Sequence, residues 1–319
     1  MKQSMRILIP FDGSASSLSV IDEAARRPWP LGTRLLILGV AEMPSTLMSG
    51  PIPMPGSYYQ EWEKALEDQA RANVELALQR LIARGVAEEM IETLTLKGNA
   101  KEAIIDEAGK FGADLIMIGT HGYNALERLW LGSVSRTVAT HAGCSVEIVR
   151  GTAEREDEAP EKRRMKLLVA VDGSPSGDAA VGEVASREWP EGSEVRVITA
   201  IHLPFAPAPE TWVLPDEFYE VAERHSREQA EITHQRAAKI IAEGNTGRAV
   251  PLDFSSEVIL GHAEEVILAT AREWPADLIL LGSHGHRAWE RFILGSVSQA
   301  VAWHAPCSVA IVRSTQGVR

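Results

Sequence analysis

The sequence predicts an α/β protein made of two tandem, doubly wound domains, each with a five-stranded parallel sheet. Three observations carry this. The first is a repeat: Asp12-Gly13-Ser14 returns as Asp172-Gly173-Ser174, and Trp29-Pro30-Leu31-Gly32 as Trp189-Pro190-Glu191-Gly192, both 160 positions on. Gly98, Gly119 and Arg150 match Gly261, Gly282 and Arg313 at an offset of 163, so three residues enter the second copy between Gly192 and Gly261. Of the 32 positions in 119–150, 21 are identical in 282–313. The second is alternation, with short apolar runs separated by helix-length segments, the pattern of βαβ units. The third is that the strand candidates are apolar on both faces, as strands covered by helices on each side must be.

In the first copy, Arg6–Pro10 is a short apolar strand leading into Asp-Gly-Ser, where Ser14 can cap a helix running to about Arg27. Arg34–Val40 is a second strand. Ala41–Ser57, rich in Pro, Met, Gly and Ser, is a long loop. A long helix from Tyr58 to about Arg84 presents Leu66, Val74, Leu78 and Leu81 as its apolar face. Glu89–Lys97 is a strand, Ala100–Lys110 a helix, Asp114–Ile118 a fully apolar strand, Ser133–His141 a helix and Ser145–Arg150 the closing strand. The second copy follows the same order. The domains are therefore 1–150 and 165–319, joined by a charged linker over 151–164 without apolar periodicity.

Charge and composition exclude several classes of function. With 44 acidic and 32 basic residues the net charge is −12, which argues against binding nucleic acid by phosphate neutralisation and against docking on an anionic membrane. No apolar run approaches a membrane span and no secretory core follows the N-terminus, so a cytoplasmic protein is expected. Two cysteines make neither a disulfide framework nor a four-ligand zinc site. Walker A, Gly-x-Gly-x-x-Gly, Gly-x-Ser-x-Gly and His-Glu-x-x-His motifs are all absent.

Ligands of doubly wound sheets bind beyond the carboxyl ends of the strands, here the loops after Pro10, Val40 and Ile118. The last carries the sharpest motif: Gly119-Thr120-His121-Gly122, nine residues, then Gly132-Ser133-Val134-Ser135. The second copy has Gly282-Ser283-His284-Gly285, nine residues, then Gly295-Ser296-Val297-Ser298. Glycines admit an anion close to backbone amides, and a helix opening at Gly-Ser offers unpaired amides and a favourable dipole to phosphate. The Ser133 and Ser135 hydroxyls can add donors, and Arg128 and Arg291 can reach a terminal phosphate. Two roles are open to Asp12: a Mg²⁺ ligand beside phosphate, or the cap of a turn.

Together, the Asp-Gly-Ser strand end, the Gly-x2-Gly-x9-Gly-Ser loop and the closing His-Ala-(Gly/Pro)-Cys-Ser-Val resemble the universal stress protein family, across essentially the whole chain. The resemblance implies two adenine-nucleotide-binding domains holding ATP, ADP or AMP, with Mg²⁺ as a candidate partner. It assigns Asp12 and Asp172 to the ribose or a metal, and main-chain groups around Val40 and Ala200 to adenine. It gives the phosphates to Gly119, Gly122, Gly132, Ser133, Val134 and Ser135, and to Gly282, Gly285, Gly295, Ser296, Val297 and Ser298. Pro10 fits the family's residue before the Asp loop, where the second copy has Ala170; Tyr123 and His286 depart from the small or basic residue usual after the second glycine. The loops Ala41–Ser57 and Ile201–Asp216 can cover or block the base pocket. In the family the closing strand pairs with that of another subunit, so Ser145–Arg150 and Ser308–Arg313 are expected to form an internal pseudo-dimer, with further dimerisation of the chain also open.

No nucleophile is paired with an obvious base. His121 and His284, inside the glycine turn, read as local loop residues with acid–base or phosphate roles as the alternative. His141 and His304 belong to helix C-termini, and Cys144 and Cys307 to buried apolar positions. The expected function is nucleotide binding by a stress-response regulator with an unidentified protein partner and at most slow hydrolysis. The alternatives are a phosphotransferase or ATPase using the histidines or aspartates, and a scaffold with vestigial pockets.

Overall fold

The computed structural model describes residues 4–43, 56–122, 131–151, 164–202, 216–285 and 294–313. The chain divides into two compact units, Met1–Glu161 and Lys162–Arg319. The first unit runs β1 (Arg6–Pro10), α1 (Ala15–Arg26), β2 (Arg34–Ala41), α2 (Gly56–Ala83), β3 (Ile91–Lys97), α3 (Ala100–Phe111), β4 (Leu115–Gly119), α4 (Ser133–His141) and β5 (Ser145–Val149). The second repeats the plan as β6 (Lys166–Ala170), α5 (Pro175–Ser186), β7 (Glu194–Ile201), α6 (Asp216–Asn245), β8 (Asp253–Leu260), α7 (Ala263–Glu273), β9 (Leu278–Gly282), α8 (Ser296–His304) and β10 (Ser308–Val312).

Within the first unit the strand order is β3-β2-β1-β4-β5, and within the second β8-β7-β6-β9-β10, with parallel pairing throughout. The order reverses between β1 and β4, and between β6 and β9, so a crevice opens at the carboxyl ends of those strands. Both predicted sheets are therefore present, with each strand within a residue or two of its expected place. One small difference has a clear cause: β4 begins at Leu115 because Asp114 is engaged in capping, its Oδ2 accepting from Arg6 N at 2.7 Å while its N–H donates to Arg6 O.

Helix starts follow their caps. Ser14 and Ser174 accept from Ser17 N and Gly177 N, both at 3.2 Å, and Pro175 fills a first-turn position that has no amide to satisfy. Asn99 caps α3, and Gly112 ends it in the left-handed conformation at φ 66°. On α2 the apolar face is Ala70, Val74, Ala77 and Leu81, with Leu66 and Leu78 at its half-buried edges; Ala230, His234, Ala237 and Ile241 repeat that face on α6, 160 positions on. The helix α2 ends at Ala83 whereas α6 continues to Asn245, two positions beyond 243 at the same offset, so the three-residue insertion lengthens the end of α6 and the turn that follows it. Each core packs α1 and α2, or α5 and α6, on one face of its sheet, around Ile9, Ile37 and Met117 in one unit and Val169, Val197 and Leu280 in the other.

Candidate functional site

The Asp-Gly-Ser turn is the first wall of the site. Asp12 Oδ1 accepts from Ser14 N at 3.0 Å and Asp172 Oδ1 from Ser174 N at 2.9 Å, so the capping role weighed for these aspartates is realised in both units. The carboxylate's other oxygen faces the glycine loop: a Cβ on Gly122 would lie 2.8 Å from Asp12 Oδ2, and one on Gly285 2.7 Å from Asp172 Oδ2. Glycine at these two positions leaves the aspartate its place.

A different reason holds at Gly119 and Gly282. A Cβ at Gly119 would meet the Ser16 backbone at 3.0 Å, and one at Gly282 the Ser176 backbone at 2.6 Å. These glycines let the strand end pack on the first turn of α1 or α5; they were expected to admit an anion, and close helix packing is what requires them. The serines complete the junction. Ser16 Oγ accepts from Thr120 N at 2.7 Å and His121 N at 3.3 Å, whereas Ser176 Oγ donates to His284 O. Sequence reasoning passed over Ser16 and Ser176, although Asp-Gly-Ser-x-Ser itself recurs at the 160-residue offset.

The loop returns to the sheet through Gly132 N, which donates to Thr120 O at 2.7 Å; Gly295 N donates to Ser283 O at 2.9 Å. This bridge delivers the N-terminus of α4, and of α8, to the strand ends. Neither helix has a side-chain cap. Among the described residues, the first-turn amides of Ser133, Val134 and Ser135, and of Ser296, Val297 and Ser298, make no hydrogen bond. One expected donor is corrected here. The Ser135 hydroxyl is buried and donates to Gly119 O at 2.6 Å, and that of Ser298 to Gly282 O at 2.7 Å, so both hold the loop and only the amides of these serines are directed outwards.

The opposite edge is backbone. Phe11 N donates to Leu38 O and Gly98 N to Ala41 O; in the second unit Val171 N donates to Ile198 O and Gly261 N to Ile201 O. Main-chain groups alternate sides along a strand, so Val40 and Ala200 direct theirs towards β1 and β6, past the last residues with which those strands pair. In the second unit these parts enclose a cavity of about 500 Å³, within the range of small-molecule sites. Its apolar end is Val171, Ile198, Ala200, Ile267 and Leu281; its polar end is His284, Gly285 and the Ser296–Ser298 turn, with Asp172 between. Ala170 also lines it, while Pro10, the matching residue of the first unit, is buried at the end of β1.

His121 is half-buried with Nε2 shielded from solvent and without a hydrogen-bond partner. Burial, and secondarily the Arg150 charge, lower its pKa, so it is neutral at pH 7. Ser283 Oγ lies 2.8 Å from His284 Nδ1. His141 and His304 sit in the last turns of α4 and α8, with Nδ1 at 3.0 Å from Thr137 O and 2.9 Å from Ala300 O. Cys307 is buried and Cys144 only half-buried. Arg128, Arg291, Tyr123 and His286 lie outside the described residues, as do most of the two long loops. Among the described residues no group of three His, Cys, Asp or Glu is arranged to hold a metal, and Asp172 is the one carboxylate among the residues that line the second unit's cavity. No helix among them is long and apolar enough to cross a membrane.

The model of the universal stress protein family matches residues 4–150 and again 163–313. A universal stress protein of Mycolicibacterium smegmatis is 26% identical over 320 residues, covering 96% of each chain. A shorter universal stress protein of Thermus aquaticus is 32% identical over 146 residues, 45% of this chain and 97% of its own. Among solved structures, a universal stress protein from Archaeoglobus fulgidus aligns over 99% of this chain and 98% of its own, with a TM-score of 0.63 at 21% identity, a likeness of fold.

Proposed function

The chain belongs to the universal stress protein family, and from that premise we propose that it is a cytoplasmic regulatory protein that binds adenine nucleotides and presents the bound state to a protein partner. The observation that carries the reading is the second unit's cavity, apolar at one end and bounded at the other by three helix amides that make no hydrogen bond among the described residues. The base enters the apolar end, against the main chain of Ala200, or Val40 in the first unit. The ribose lies by Asp172 or Asp12. Phosphates take the amides of Ser296–Ser298 or Ser133–Ser135, where the helix dipole favours negative charge. Arg291 and Arg128 are the cations assigned to the terminal phosphate.

Mg²⁺ fits this site only as an ion shared between one aspartate and phosphate oxygens, since that metal needs few protein carboxylates. It would neutralise phosphate charge beside Asp12 or Asp172. Among the described residues no side chain stands ready as an efficient general base. Neutral His121 is a candidate, and it supports the enzymatic alternative to the extent that its Nε2 is uncommitted.

Calorimetric titration of nucleotide-stripped protein with ATP, AMP and cyclic AMP, with and without Mg²⁺, tests the reading. A Gly122→Ala/Gly285→Ala variant, whose new methyl groups crowd the aspartates, should lose binding while keeping its far-UV spectrum. Absence of heat with every nucleotide would leave the scaffold. Mg²⁺-dependent turnover abolished by His121→Ala/His284→Ala would make the protein an enzyme.

A further inference from the structure

Where the second unit's β7 ends and α7 begins, two imidazoles stand together. His202 follows the last residue of β7 and His262 is the N-cap of α7; their ring centroids are 4.1 Å apart, tilted by 31°. The backbone holds them there, because Gly261 N donates to Ile201 O at 2.9 Å, joining the residues just before each histidine. Both side chains are exposed, and among the described residues neither makes a hydrogen bond. The His262 side chain makes no capping hydrogen bond to its own helix. The first unit has Glu42 and Asn99 at these positions, joined by an Asn99 Nδ2 to Glu42 Oε1 bond of 2.8 Å. Both members of that pair are thus exchanged for histidine in the second unit, and the hydrogen bond that justified the pairing is gone.

We propose that His202 and His262 form a binding site for a borderline first-row divalent cation of the Zn²⁺ type. Neutral imidazole is a preferred ligand for such ions, at 2.0–2.1 Å. Two donors on one ion at those bond lengths lie at most about 4.2 Å apart, so the two rings, with centroids 4.1 Å apart and planes tilted by 31°, must turn out of their stack about the side-chain torsions for one nitrogen of each to face the same ion. Water fills the remaining positions, for which the exposed setting leaves room. The α7 N-terminus opposes a cation there, and Glu264 and Glu265 in its first turn offset that field. Neither histidine is among the residues that line the cleft, although Ala200 and Ala263 of the cavity wall are their near neighbours in sequence. It has no counterpart in the first unit.

The test is calorimetric titration of the nucleotide-free full chain with ZnCl₂, alongside His262→Asn and His202→Glu/His262→Asn. The double variant restores the first unit's pair, so it should fold. Loss of even an outer-sphere partner weakens metal sites about 10–100-fold, so removing one of two ligands should eliminate one saturable Zn²⁺ equivalent. Excess Mg²⁺ should not compete. Unchanged Zn²⁺ stoichiometry in the double variant, absence of a saturable event in the parent, or displacement by Mg²⁺ would overturn the proposal. Since no nucleotide is present, none of these outcomes depends on the fate of the nucleotide reading.

Discussion

Gly39 and Thr199 hold matching places on β2 and β7, and what packs on them explains both. A Cβ at Gly39 would meet Val74 Cγ2 at 2.6 Å, whereas Thr199 Oγ1 lies 3.0 Å from Nε2 of His234, which stands where the first unit has Val74. An apolar fit in one core is a polar pair in the other. Burial lowers the His234 pKa, against the smaller opposing effect of Glu231. With the folded pKa below the unfolded value of about 6.5, the unfolded chain binds more protons in acid. This contribution is complete above about pH 6.5 and is lost as pH falls through the folded pKa, at up to about 1.4 kcal/mol per pH unit. Thr199→Gly/His234→Val should therefore flatten the fall in urea-unfolding stability between about pH 7.5 and 5.5; an unchanged slope would assign it elsewhere, His121 having the same sign. The glycines divide in a parallel way. Gly119→Ala forces a methyl onto Ser16 backbone and should cost about 1–3 kcal/mol, while Gly122→Ala touches only a carboxylate and should leave stability within about 1 kcal/mol. Thermal melts of the two variants separate the glycine that packs on Ser16 from the glycine beside Asp12.

At the scale of elements, the units differ most in how the end of the first helix is tied to the closing strand. Arg27, the C-cap of α1, donates to both Glu147 oxygens on β5, at 2.7 and 2.5 Å, and through Nε to Glu23 at 3.0 Å. Burial works against the Arg27 charge, but Glu147 and then Glu23 outweigh it and raise its pKa. In the second unit Arg187 pairs with Glu183, and Ala310 occupies the place of Glu147. Glu147→Ala, which copies the second unit, should destabilise the first by about 3–5 kcal/mol, because it strands a buried guanidinium. A change below about 1 kcal/mol in chemical unfolding would mean that Glu23 suffices for Arg27. This tie was invisible in the sequence, since Arg27 and Glu147 lie 120 positions apart and neither forms a motif. The elements themselves were legible, because strand order in a βαβ chain follows from local apolar runs and the handedness of crossovers. The candidate site was legible in its glycine spacing and helix start. It was not legible in its assignments: a glycine needed for packing on Ser16 and one needed beside Asp12 look identical in a string of letters, and the commitment of the Ser135 hydroxyl to Gly119 O requires the folded loop.

For the whole molecule the governing quantity is charge. Residues 1–150 carry 18 acidic against 15 basic side chains, and residues 165–319 carry 21 against 13, so the copies stand at −3 and −8. An anionic ligand approaching either cleft is drawn by local amides and repelled by this longer-range field. At about 20 Å in water each pair of unit charges contributes roughly 0.2 kcal/mol, and the Debye length falls from about 30 Å at 0.01 M salt to about 8 Å at 0.15 M. Screening therefore removes most of the distant repulsion while leaving the short amide contacts nearly intact. ATP affinity should rise with salt over this range, by on the order of 1 kcal/mol at the cleft of the second unit and less at the first. That is the opposite of the loss seen when a basic surface binds phosphate by releasing counterions. Calorimetry of the parent beside Gly122→Ala and Gly285→Ala single variants, at both salt concentrations, resolves the clefts. Equal salt responses would mean that the field of the whole chain acts on both sites alike, and a fall in affinity at both would move the recognition of phosphate from the helix amides to cations such as Arg128 and Arg291.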